Sequence, residues 1–191
     1  MVSTMTKEKE KVRDLKKVSL KFSKALKHIK VLLFDVDGVL TNGLIYYDGA
    51  EVGFNRYFHA HDGYGIKMMR EAGLRVGIVS GGHSVGLLKR AEYLKLDYCF
   101  TGNEDKRVAF LQVMKDGFAP EQILYFGDEI FDIPLMKKAG FSATTPQAPL
   151  EVKEVADYVT EKNGGEGAAR EVIDLLRYAQ KITPQILDFS S

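Results

Sequence analysis

Two aspartates one residue apart, Asp35 and Asp37, follow the apolar run Val31-Leu32-Leu33-Phe34 and precede Gly38. Carboxylates that close repel each other unless a cation sits between them or one takes a proton. Magnesium suits the gap, because it prefers carboxylate and carbonyl oxygens and keeps several waters. Three later stretches carry groups suited to phosphate chemistry: Ser80-Gly81-Gly82-His83, then Asp105-Lys106, then Gly127-Asp128 with Asp132 four residues on. Taken singly, each reads as a turn, a helix cap or a solvated charge. Four of them in this order, each just after an apolar run, are hard to assign to caps alone.

The elements that must position these groups follow from the hydrophobic pattern. Short apolar runs that stop at Gly or Asp fit buried parallel strands. They occur at Val31–Phe34, Arg75–Val79, Asp97–Phe100, Ile123–Phe126, Phe141–Thr144 and Tyr158–Thr160. Helical spacing is predicted from Asp62, as N-cap, to near Gly73, then to about Leu94, over about Lys106–Lys115, over 130–139 and over about Ala168–Lys181. Strand and helix alternate, so the chain reads as a doubly wound, mostly parallel Rossmann-like α/β sheet. In such sheets ligands bind at the carboxyl ends of the strands. Between the first strand and Asp62 lies only a predicted β-hairpin, Leu44–Tyr47 and Val52–Phe58 flanking Asp48-Gly49, too small to be a cap domain. Its Tyr and Phe content points to subunit association. His59 and His61 lack an evident third ligand for a metal site.

At 191 residues and 45% hydrophobic content the chain is long enough for one sizeable core. Its single cysteine, Cys99, excludes an internal disulfide and lies in an apolar run, so it reads as a buried thiol. No run is long enough to cross a bilayer and no leader pattern opens the chain, so the cytoplasm is the expected location. The net charge of +1 hides an asymmetry. Residues 1–30 hold ten basic and three acidic residues, +7, and the remainder carries −6. A basic arm can bind nucleic acid or anionic membrane. However, Val18, Phe22, Leu26 and Ile29 share one helical face, which favours a helix docked on protein, with no nucleic acid expected. The division read from sequence is therefore an arm at 1–29 with a frayed first dozen residues, a domain at 30–182 and a tail at 183–191.

The four stretches, in their order, resemble the motifs of the haloacid dehalogenase superfamily of phosphotransferases. The likeness covers about residues 30–180. It implies that Asp35 attacks phosphorus to form an aspartyl-phosphate, and that Asp37 protonates the leaving alcohol and then deprotonates water. Asp35, Asp128 and Asp37, the last through its backbone carbonyl, would hold Mg²⁺. Ser80, Gly81 and Lys106 would hold the phosphoryl oxygens. Asp132 would orient metal-bound waters or steady Lys106.

Within that superfamily, Asp35-x-Asp37-Gly38-Val39-Leu40-Thr41-x-Gly43, His61-Asp62-Gly63-Tyr64-Gly65-Ile66 and Gly164-Gly165-Glu166-Gly167-Ala168-x-Arg170 resemble the capless 3-deoxy-D-manno-octulosonate 8-phosphate phosphatases. This implies a phosphorylated sugar-acid substrate, a part in lipopolysaccharide biosynthesis, a homotetramer built through the hairpins, and substrate contacts from Asp62, His83 and Arg170. It also implies that Gly164–Arg170 and the tail close a neighbour's site. Gly82 and Glu166 stand where the family commonly has arginine. The loss of two cations is expected to weaken carboxylate recognition, and Gly82→Arg to restore it. Glu166 resembles instead a related branch acting on 2-keto-3-deoxynononate 9-phosphate. Two other classes remain: a non-catalytic domain of the same fold, disfavoured by the presence of both Asp35 and Asp37, and a receiver-type phosphoacceptor domain, which the Asp-x-Asp-Gly and late Gly-Asp-x-x-x-Asp fit poorly.

Overall fold

The structure, a computed structural model, describes residues 14–186 and 189. The expectation for the first dozen residues lies outside that range. Strand β1 (Val31–Phe34) is the hub, and every residue in it is buried. It pairs in parallel with β4 (Arg75–Ser80) on one side and β6 (Ile123–Phe126) on the other. The sheet continues outward to β5 (Tyr98–Thr101) beyond β4, and to β7 (Phe141–Thr144) and β8 (Tyr158–Val159) beyond β6. All these pairings are parallel. The chain winds outward in both directions from β1, so the crevice at its carboxyl end is the switch point where ligands bind.

Alternation along β1 divides the core. Leu32 and Phe34 join the cluster that includes Ile66, Met69, Val172 and Leu176, from α3 (Ala60–Glu71) and α8 (Ala168–Gln180). Val31 and Leu33 point the other way, toward Phe110, Leu135 and Val152 from α5 (Arg107–Lys115), α6 (Ile133–Lys138) and α7 (Leu150–Val155). Helix α7 has no counterpart in the sequence reading, because six residues after a Pro give too little periodicity to register.

The described part of the arm is docked on the body. Helices α1 (Leu15–Lys21) and α2 (Ser23–Leu26) pack on α8, and Phe22 meets Phe141 and Tyr158 edge-on at 5.3 and 5.9 Å. Leu26 and Ile29 are buried, and Gln180 Nε2 donates to both their carbonyls. The predicted apolar face is therefore the docked one.

Three expectations need correction. The hairpin's strands are two residues each, β2 (Tyr46–Tyr47) and β3 (Phe54–Asn55), joined by a loop longer than a two-residue turn. Cys99 is exposed, because β5 is an edge strand. Asp62 does not cap its own helix: His59 is the N-cap of α3, and Asp62 lies within the first turn. Its Oδ1 instead accepts from Arg170 N at 2.7 Å, capping the first turn of α8 across 108 residues. Helix α4 (Val85–Tyr93), by contrast, is capped locally by Ser84.

Candidate active site

Asp35, Asp37, Ser80, Gly81, Lys106 and Asp128 line one cleft at the carboxyl end of the sheet. Its volume of about 640 Å³ lies in the range of small-molecule sites. The register explains the convergence. Phe34 is level with Ile78 and Phe126, so the residues that follow β1, β4 and β6 emerge side by side. The amide of Asp35 donates to Phe126 O at 2.8 Å. The loop beyond is held by its own bonds: Leu40 N, Thr41 N and Thr41 Oγ1 all donate to Val36 O. Gly38 must be glycine, since φ is +86° and a Cβ would stand 1.9 Å from Asp128 Oδ2.

On the floor, Lys106 is 2% exposed and its Nζ lies 2.8 Å from Asp35 Oδ1 and 2.7 Å from Asp132 Oδ1. Asp132 is fully satisfied. Oδ1 also accepts from Tyr125 Oη at 2.6 Å, and Oδ2 accepts from the amides of Asp128 and Glu129. It lies beneath the cleft and fixes both Lys106 and the 127–129 turn. The Tyr125 hydroxyl's pKa is pushed well above the usual phenol range by burial and by Asp132.

Asp128 is the contrast. Its Oδ1 is buried and has no hydrogen-bond partner. Burial raises its pKa, and the facing Asp35 carboxylate raises it further. Asp35 is raised by burial and by Asp132, with Lys106 pulling the other way. Carboxylate oxygens of Asp35, Asp128 and Asp132 lie within 4.8 Å of one another. An orphaned oxygen and two crowded carboxylates are the donor set that a hard cation such as Mg²⁺ takes. Asp132 has no oxygen to spare, so Asp35 and Asp128 are the side chains that fit it.

The opposite wall is built by a residue that sequence reasoning missed. Arg56, just after β3, is 6% exposed and grips Asp37 with both arms, Nε to Oδ1 at 2.5 Å and Nη2 to Oδ2 at 2.8 Å. Its remaining Nη1 reaches Ser84 Oγ at 3.3 Å and Phe54 O at 3.4 Å. The only sequence signal was a lone cation between aromatic residues in the hairpin. This bears on Gly82: a Cβ there would stand 2.4 Å from Arg56 Nη2, so an arginine at 82 would have to displace a guanidinium that already occupies the place.

Three expected substrate residues do not line the cleft of this chain. Asp62 is buried under α8. His83 Nδ1 pairs with Thr101 Oγ1 at 3.0 Å. Arg170 pairs with Asp174 and lies over the Tyr64 ring. The Gly-rich loop packs on the turn after β1 of its own chain. Gly165 N donates to Val39 O, and a Cβ on Gly164 would stand 1.8 Å from Gly38 O, so the loop braces the turn that carries Asp37. Glu166 accepts from Asn163 within that loop.

Comparisons with known proteins agree with this geometry. The haloacid dehalogenase-like hydrolase family model matches residues 99–172. The chain is 38% identical over 156 residues to the 3-deoxy-D-manno-octulosonate 8-phosphate phosphatase KdsC of Haemophilus influenzae, covering 81% of this chain and 86% of the relative. It is 40% identical over 157 residues to KdsC of Escherichia coli K12, covering 80% and 81%. Among solved structures, the same phosphatase from Moraxella catarrhalis, in complex with magnesium, phosphate and KDO, superposes with a TM-score of 0.80. That match has 33% identity over 84% of this chain and 92% of the other. With the sheet, the switch-point cleft and these relatives in agreement, the chain belongs to the 3-deoxy-D-manno-octulosonate 8-phosphate phosphatase family of haloacid dehalogenase-like hydrolases.

Proposed function

We propose that the chain is a Mg²⁺-dependent phosphomonoesterase that hydrolyses 3-deoxy-D-manno-octulosonate 8-phosphate, in the cytoplasm, as a step of lipopolysaccharide biosynthesis. The observation that carries this is the buried Asp35, set against Lys106 and within 4.8 Å of the Asp128 carboxylate, one of whose oxygens is orphaned. The relatives' substrate supplies the sugar acid.

An Asp35 oxygen attacks phosphorus, and the bond to the sugar oxygen breaks. Asp37, protonated at this step, gives its proton to that leaving oxygen and is left as the carboxylate that Arg56 pairs with. A water then attacks the aspartyl-phosphate, Asp37 takes the water's proton, and inorganic phosphate departs with Asp35 restored. Lys106 offsets charge on Asp35 and on the transferring group, while the Ser80 hydroxyl and Gly81 amide take phosphoryl oxygens. Ser80 is suited to this, since its Oγ already accepts from Gly82 N and keeps its hydrogen to donate. Asp35, Asp128 and the Asp37 carbonyl would hold Mg²⁺, which would supply the positive charge that offsets the phosphoryl group and the two adjacent carboxylates.

Phosphate release from a panel of phosphorylated sugars and sugar acids, with Mg²⁺ and with chelator, tests the reading. The expected result is Mg²⁺-dependent turnover with the highest kcat/KM on octulosonate 8-phosphate. A preference for 2-keto-3-deoxynononate 9-phosphate would move the assignment to the branch that Glu166 resembles. No turnover of any of them would leave a non-catalytic domain.

For assembly we propose a homotetramer joined through the hairpins. What supports it is the exposed apolar surface there, with Leu44, Tyr47, Phe54 and Tyr57 each more than half exposed. Deleting Tyr46–Val52 should give a smaller species on sizing. An unchanged tetramer would remove the hairpin's role.

A further inference from the structure

The cleft offers two cationic side chains among its lining residues, and Lys106 is committed to Asp35 and Asp132. Arg56 is the other, and nothing in the reaction as described uses it. Its setting is more specific than a hairpin staple requires. All of its grip on Asp37 is bidentate, which fixes the plane of the carboxylate as well as its position. Its third arm rests on Ser84, the N-cap of α4, so the guanidinium is braced on an element outside the hairpin. One glycine clears its path, and a second clears that of the residue before it. A Cβ on Gly82 would meet Arg56 Nη2 at 2.4 Å, and one on Gly86 would meet the neighbouring Asn55 Oδ1 at 2.4 Å. The same Cβ on Gly82 would lie 3.4 Å from Asp37 Oδ2, an ordinary contact, so it is the Arg56 side of the pair that needs the glycine.

We infer that Arg56 is the positioning residue for Asp37: it aims the carboxyl that exchanges protons with the leaving oxygen, and Gly82 is glycine so that it can. This rests on the reading of Asp37 as the general acid. The hairpin then has a chemical duty in its own chain, delivering one side chain to the cleft.

A merely structural arginine would affect all substrates alike, whereas a misaimed acid matters most when the leaving group is poor. An alkyl oxygen needs its proton as the ester bond breaks, and a nitrophenolate hardly does. The test compares kcat/KM, which reports the steps through ester cleavage, for octulosonate 8-phosphate and p-nitrophenyl phosphate in Arg56→Gln, Arg56→Lys, Gly82→Ala and Asp37→Asn. Arg56→Gln should lose about 100-fold on the sugar phosphate, the lower end of what general acid catalysis contributes, and under about threefold on the nitrophenyl ester. Arg56→Lys keeps the charge but loses the fork, and should recover about tenfold of that loss. Gly82→Ala crowds the pair from the other side without touching the hairpin's fold, and should show the same split at roughly tenfold. Equal losses on both substrates in Arg56→Gln, with the split present in Asp37→Asn, would overturn the positioning role. Absence of the split in Asp37→Asn would remove the acid role itself, and the inference with it.

Discussion

The two walls of the cleft are made in different ways. The floor, with Asp35, Lys106, Asp128 and Asp132, hangs from strand ends and from the first turns after them. The facing wall, Asp37 with Arg56 and Gly82, depends on a loop, a small hairpin and a missing side chain. On the floor a single residue, Asp132, satisfies a lysine, a tyrosine and two amides, while Asp128 beside it keeps an orphaned oxygen. Stability and reactivity are thus separated between two carboxylates four residues apart. The facing wall has no such buried carboxylate beneath it: backbone bonds to Val36 O and Val39 O shape its loop, and one bidentate ion pair aims its carboxylate.

The sharpest break in that comparison is at Asp35. Asp35→Asn should lower turnover at least a thousandfold, about 4 kcal/mol in barrier, with an unchanged circular dichroism spectrum. More than a tenth of wild-type activity in a clean preparation would sink the covalent mechanism.

Next in size is the anchor. Asp132→Ala leaves Lys106 short of a partner and strands Tyr125 Oη and two amides, so it should cost about 3–5 kcal/mol of stability and roughly 10 °C in Tm. A change under 2 °C in a thermal melt would mean that the floor is not held from below.

Asp128→Asn should act in the opposite direction on the metal-free protein. Removing one of two crowded carboxylates raises Tm by about 3 °C, or ~1 kcal/mol, and abolishes the further rise on adding Mg²⁺. An unaltered Mg²⁺ shift in this variant would exclude Asp128 as a metal ligand.

The smallest effect is in pH. Asp35 and Asp128 have native pKa values above their unfolded ones, so the native state holds more protons in the window between the two. Metal-free stability should therefore fall as pH rises from about 4 through the raised native values, and Mg²⁺ should flatten that slope. A metal-free melt that stays level or climbs across this window would contradict the burial and crowding of the pair.

The floor was legible residue by residue because strands end where apolar runs end, and parallel register lines those ends up. The same logic failed wherever a group's partner is distant in sequence. Asp62 looked like a local cap, since Asp before a helical pattern usually is one, yet it caps α8. The Gly164-Gly165 loop gave no sign of its intrachain seat: its glycines are the clearance needed to lie on the backbone at Gly38 and Asn42. Arg56 carried almost no signal, because one cation in a short aromatic hairpin is ordinarily solvated.

By itself the sequence determined the alternating α/β order, the central strand, the docked face of the arm and the carboxylates, lysine and serine that meet at the switch point. Each follows from local periodicity or from a residue type at a strand end, and chain connectivity does the rest. Only the tertiary structure decided which carboxylate is saturated and which is left wanting a cation, and what stands at Gly82. It also decided which wall the hairpin serves. Those outcomes depend on distances between segments that have no common period, where one missing Cβ or one buried oxygen sets the chemistry.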